Sequence, residues 1–198
     1  LSMGPDEAAD CVRKAISMGA HAGIHISDPA LHGSDALATS LILAKAIQRV
    51  NPDLILCGTE STDARMSVIP SMLSERLELP QLSFAGEVNV RANQVSIKRV
   101  TDEGVDSMSS PMPVIVSVIE KINEPRYPSF KGIMAAKSKP VEEVTASDLG
   151  VTPAGWAGAG QKVTLVAQAE ARQAGEIVED DGESFGKIVA FLENLKVI

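Results

Sequence analysis

The run Gly58-Thr59-Glu60-Ser61-Thr62-Asp63-Ala64-Arg65-Met66-Ser67 has the layout that holds a phosphate: an apolar stretch ending in glycine, a polar loop, then a helical pattern. Free backbone N–H groups and the helix dipole both favour an anion at such a place. Gly58 allows close backbone approach, and Arg65 offers a two-pronged phosphate contact, with simple solvation of an exposed arginine as the competing reading. Met66 adds bulk where a phosphate would lie. The other reactive side chains organise less chemistry. Cys11 and Cys57 lie in apolar surroundings with neither a CxxC pair nor a basic cluster, so both read as core residues. His21, His25 and His32 fall at i, i+4 and i+11, but on a strand followed by a loop, so the helical ligand geometry is missing and no metal site is expected. Neither a paired-carboxylate site nor a nucleophile with a histidine partner stands out. No residue is nominated as an acid, base or nucleophile.

Length and charge bound what these residues can serve. The 198 residues suit one α/β domain with an appendage. A net charge of -8 argues against wholesale binding to nucleic acid or an anionic membrane, both of which attract clustered Lys and Arg. No apolar run approaches the roughly 18 residues needed to cross a bilayer, so membrane insertion is not expected. The opening Leu1-Ser2-Met3-Gly4-Pro5 has no initiator Met, charged n-region or cleavable signal, and reads as an internal start.

The elements that must position these residues follow βαβ grammar. Gly4-Pro5-Asp6-Glu7 and the apolar rhythm Ala8, Cys11, Val12, Ala15, Ile16 predict a helix with an acidic first turn, just after the end of a strand. A buried strand is expected over 22–26, a helix over 34–49, a second buried strand over 53–58 and a helix over 66–77 that ends before Leu79-Pro80. From Leu82 the period becomes two, predicting an antiparallel extension through 84–90, 94–100 and 113–118, with hairpin turns at 91–93 and 102–104. The fold class expected is α/β: a Rossmann-like parallel sheet with helices on both faces, an antiparallel extension, and a C-terminal arm ending in a helix. The division expected is 1–150 for the nucleotide-binding-type domain and 151–198 for the arm and terminal helix. The arm over 151–183 is too weakly apolar to fold on itself. Trp156, the only tryptophan, reads as an interface anchor or as folding back on its own domain. Phe185, Ile188, Val189 and Leu192 recur at helical spacing on one face, to be covered by this chain or by a partner.

The stretch 121–137, with Asn123-Glu124-Pro125-Arg126-Tyr127 followed by Ile133-Met134-Ala135-Ala136-Lys137, closely resembles the signature segment of electron transfer flavoprotein beta subunits. The likeness continues through Ala15-Ile16-Ser17-Met18-Gly19-Ala20, Leu79-Pro80-Gln81, Thr101-Asp102-Glu103-Gly104 and Asp148-Leu149-Gly150-Val151. It implies a subunit paired with a larger alpha subunit. FAD would be held mainly by that alpha subunit and AMP buried in the beta subunit, in the bacterial cytoplasm or the mitochondrial matrix. Electrons would arrive from dehydrogenases, such as the acyl-CoA dehydrogenases of fatty acid oxidation, and leave toward the respiratory chain. The family's first β-α-β segment has no counterpart here.

The resemblance also nominates residues. Met3, Gly4, Gly58, Asp63, Arg65 and Ser67 are the nucleotide-facing candidates, although the family carries a Gly- and Thr-rich loop where this chain reads Ala64-Arg65-Met66-Ser67, which puts AMP in doubt. Pro125, Arg126, Tyr127, Phe130, Ile133, Met134 and Lys137 form the candidate docking surface. Pro125 and Pro128 fix the loop so that little entropy is lost on docking, and Phe130 is the apolar anchor, with packing on its own domain as the alternative. Lys131, Lys137 and Lys139 form a basic rim that suits an acidic partner. Val100 stands where the family has a glutamate implicated in interdomain contacts. Two other classes compete: an adenine nucleotide hydrolase of similar fold, disfavoured by Ala64 to Ser67, and a nucleotide-sensing regulatory module, which leaves the proline-spaced loop and the arm unexplained.

Overall fold

A computed structural model describes residues 1–169, 171, 175, 177–179, 182 and 184–197. The chain forms two units, 1–162 and 163–198. In the first, β1 (Ser2–Met3) leads through a short 3-10 turn into α1 (Ala9–Ser17), β2 (Gly23–Ile26), α2 (Ala36–Val50), β3 (Leu54–Gly58), α3 (Ile69–Leu77) and β4 (Gln81–Ala85). Then come β5 (Glu87–Arg91), β6 (Gln94–Thr101), β7 (Gly104–Pro111), β8 (Val114–Val118), α4 (Phe130–Ser138) and β9 (Val141–Val144). The strands form two parallel sheets, in the orders β1-β2-β9 and β3-β8-β4, and an antiparallel sheet β5-β6-β7.

The central strands β2 and β8 are covered on both faces, which is why they read as nearly continuous buried runs, whereas the edge strand β9 carries the exposed Glu142 and Glu143. On β1-β2-β9, Val12 and Ile16 of α1 meet Ala136 of α4 and Val141 on one side. Ile42 and Ala46 of α2 pack on Ile26 and Val144 on the other. On β8, Ile115 faces α2 and α3 through Ala44, Ile47 and Leu73, while Val114 and Val116 meet Leu82, Val95 and Ile97. Each fully buried Ile or Val contributes about 1.5–3 kcal/mol relative to an exposed one.

The expected architecture is present, with revisions. Residues 113–118 read as part of the antiparallel extension, but β8 pairs in parallel with β3 and β4. The β5-β6-β7 meander is an insertion, and after it the chain returns to the centre of the parallel sheet; alternation alone carries no information about a strand's partner. The run 84–90 divides at Gly86 between β4 and β5. The helix expected from 66 starts at Ile69, because Arg65 and Ser67 adopt left-handed backbone at φ 49° and 55°. Cys11 is exposed, not core, whereas Cys57 is half-buried and its thiol pKa is pushed up by burial. His25, 2% exposed on β2, has an Nε2 atom without a hydrogen-bond partner among the described residues.

In the second unit, α5 (Phe185–Asn194) exposes Phe185, Ile188, Val189 and Phe191. The arm expected over 151–183 lies partly outside the described residues, at 170, 172–174, 176, 180, 181 and 183.

Candidate functional site

A cavity of about 570 Å³ opens beyond the carboxyl ends of β1 and β2, where open α/β sheets place ligands. Met3, Gly4, Asp6, Ser27, Asp28 and His32 line it, and Asp63 reaches it from the β3–α3 loop. Its walls are pinned by short-range chemistry. Ser27 Oγ donates to the Asp6 carboxylate at 2.7 Å. Asp28 accepts from the Ala30 and Ala146 amides at 2.8 and 3.1 Å, using both carboxylate oxygens. Ser34 Oγ donates to the Leu31 carbonyl at 2.7 Å. The Ser61 hydroxyl and then the Ala64 amide hold the Asp63 carboxyl below its usual pKa, keeping it ionised.

Of the nucleotide-facing candidates, Met3, Gly4 and Asp63 meet in this lining; Gly58, Arg65 and Ser67 are not in it. Gly58 ends β3, and the loop after it is rooted by Thr59 Oγ1 donating to the Val118 carbonyl at 2.8 Å. Ser67 Oγ donates to Glu60 at 3.0 Å, and Arg65 Nε leans on the Thr62 carbonyl at 3.5 Å. Met66 stays half exposed. The set fits a nucleoside better than a phosphate. Asp6, Glu7, Asp28 and Asp63 offer acceptors to ribose hydroxyls and an exocyclic amine, while the lining holds neither Lys nor Arg. The start of α3 adds little for an anion, since Pro70 removes one of its first amides.

The second candidate surface lies on α4 and the loop before it. Ser129 caps the helix by accepting from the Gly132 amide at 3.1 Å, and Pro128 sets the approach. Tyr127 is 91% and Phe130 79% exposed, with Ile133 and Met134 roughly half exposed beside them. Pro125, Arg126 and Lys137 are exposed as well. Large apolar side chains grouped this way mark an interaction site rather than a core. Phe130 therefore points outward, and the alternative of packing on its own domain is not realised.

Sequence reasoning missed how this surface is held. Arg13 of α1 donates to the carbonyls of Ala136 and Lys139 at 3.0 and 2.7 Å, satisfying the C-terminal end of α4. Lys139 Nζ donates to the Ala20 carbonyl at 2.7 Å, so this member of the basic rim is a tether. A groove of about 540 Å³ between the helices is lined by Arg13, Lys14, Ser17, Pro128, Ile133 and Lys137. Partners more than a hundred residues apart leave no signal in local spacing. On the antiparallel sheet, Val100 is 74% exposed and sits opposite Val105, also exposed.

A helix-flanked parallel sheet with a cavity at its carboxyl edge and an exposed apolar patch on α4 is an α/β architecture of the kind that places ligands at that edge. The family model of the electron transfer flavoprotein domain matches residues 1–149. The electron transfer flavoprotein subunit beta of Mycobacterium leprae is 42% identical across all of this chain and 76% of its own length. That of Megasphaera elsdenii is 32% identical over 92% of this chain and 72% of its own length, and that of Sus scrofa 35% over 76% and 60%. The chain belongs to the electron transfer flavoprotein family, on the side of its beta subunits. Among the described residues no helix is long and apolar enough to cross a membrane.

Proposed function

We propose that this chain is the non-catalytic beta subunit of a heterodimeric, FAD-containing electron transfer flavoprotein, passing electrons from dehydrogenases toward the respiratory chain. FAD, held mainly by the alpha subunit, supplies the redox chemistry. This chain supplies surfaces. The observation that carries the docking role is the group Tyr127, Phe130, Ile133 and Met134, exposed on a proline-fixed loop and a helix capped at both ends. A preorganised apolar anchor gives a transient interface selectivity at low entropic cost. Dehydrogenases, including those acting on acyl-CoA, dock there, with Lys131 and Lys137 on the rim. The cavity at Met3, Gly4 and Asp63 takes the adenosine part of AMP, and its phosphate lies toward Arg65, the sole cation of residues 58–67. The protein works in the bacterial cytoplasm or the mitochondrial matrix.

Co-expression of the full-length chain with its alpha subunit, purification through a tag on this chain, a visible spectrum and analysis of released nucleotides test the reading. A co-purifying partner with a flavin spectrum supports it. Absence of both overturns it in favour of a nucleotide-sensing module. AMP among the released nucleotides decides the cavity.

A further inference from the structure

After Val151 and Ala154 pack on the core of the first unit, residues 155–161 run against Ala30, His32, Gly33 and Asp35, next to residues of the cavity wall. Gly155 adopts φ +56°, and a Cβ there would strike the carbonyls of Ala30 and His32. Only glycine brings the backbone that close. The Trp156 amide donates to the His32 carbonyl at 3.0 Å. Its indole fills the space where a side chain of Gly33 would be, and meets the His32 ring edge-on at a centroid distance of 6.0 Å. Farther along, Asp35 Oδ2 accepts from the amides of Gly160 and Gln161 at 2.8 and 3.1 Å, while Oδ1 caps α2 through the Ala38 amide at 2.9 Å. The segment is thus fastened at both ends to residues that flank the cavity wall. Trp156 itself is not among the lining residues.

We propose that residues 155–161 form a strap that holds the His32–Gly33 wall of the cavity from behind, making Trp156 a positioning residue for the ligand. The amides of Leu31, His32 and Ser34 bond only within this turn, to the carbonyls of Asp28, Pro29 and Leu31. A short turn of that kind has little stability of its own, so an external brace sets how often it opens. The consequence for affinity rests on the nucleotide reading above; the brace does not.

Two measurements on the full chain separate them. Hydrogen exchange of the backbone amides within 29–34, of which Pro29 has none, is compared among wild type, Trp156→Ala and Trp156→Phe, and each protein is titrated calorimetrically with AMP. The strap predicts faster exchange at 29–34 in Trp156→Ala, unchanged protection in β8, recovery in Trp156→Phe, and AMP affinity about tenfold weaker in the alanine variant alone, the scale of one aromatic contact. Equal protection at 29–34 in Trp156→Ala and wild type overturns the strap. A wild-type chain that ignores AMP overturns the nucleotide reading, and the exchange comparison still decides the brace. If Trp156→Ala does not fold, Gly155→Ala replaces it: it displaces the strap with the indole intact, and undisturbed protection at 29–34 would sink the proposal.

Discussion

Asp35 performs two structural tasks with one carboxylate, capping α2 and receiving the strap amides. The Ala38 amide, then those of Gly160 and Gln161, hold its carboxyl below the usual pKa. A depressed folded-state pKa means the unfolded chain binds the proton more readily. The stabilisation is therefore fully present above the ordinary aspartate range and disappears as pH falls through the depressed value. Asp35→Ala should cost about 1 kcal/mol from the cap alone, and should flatten the acid limb of the urea midpoint plotted against pH. An unchanged acid limb would remove Asp35 from this role. Phe130 is the opposite kind of residue. Phe130→Ala should shift stability by less than about 0.5 kcal/mol, because the ring is largely exposed, yet slow electron acceptance from a dehydrogenase by about 30-fold. A rate within twofold of wild type would show that the ring is not the anchor. Phe130 was nominated in the sequence by resemblance to the family's recognition loop, with two prolines fixing the loop around it, and its ring is largely exposed. The contacts of Trp156 were not legible in sequence, because His32 and Gly33 lie far upstream and a tryptophan among glycines and alanines carries no local pattern.

At the scale of elements, α4, the proposed docking platform, is held in position by α1. Gly132 rests on the Ser17 carbonyl, and an added Cβ would collide with backbone. Gly132→Ala should push the helices apart at a cost of about 1–3 kcal/mol and slow dehydrogenase docking without touching an exposed side chain. A variant with lowered stability but unaltered docking would show that the tilt of α4 is immaterial to the partner. The helix rhythm of α1 was readable from spacing, since it buries one face through Val12 and Ile16. What spacing could not supply was pairing. Val114 to Val118 looks equally apolar whether its neighbours run parallel or antiparallel, and only the return of the chain after β7 makes it the central strand. Ile115→Ala, in the middle of that strand and fully buried, should cost about 2–5 kcal/mol in urea unfolding.

At the scale of the whole molecule, two sites carry opposite local charge. Asp6, Glu7, Asp28 and Asp63 gather around the cavity, and Arg13, Lys14 and Lys137 line the groove beside the anchor. The overall charge of -8 hides this difference, which is why composition argued only about bulk partners. The two sites must answer ionic strength with opposite sign. Salt screens attraction at the basic groove, so an acidic dehydrogenase should dock more weakly as potassium chloride rises, with exposed charges beyond about 10 Å decoupled at 0.1 M. Around the cavity the four carboxylates outnumber Arg65, toward which the phosphate is proposed to lie, so their net repulsion means that the same salt should tighten AMP while leaving adenosine nearly unchanged. One titration series on one sample then reads both surfaces, and slopes of the same sign would mean that Arg65, not the cavity carboxylates, sets the field at the phosphate.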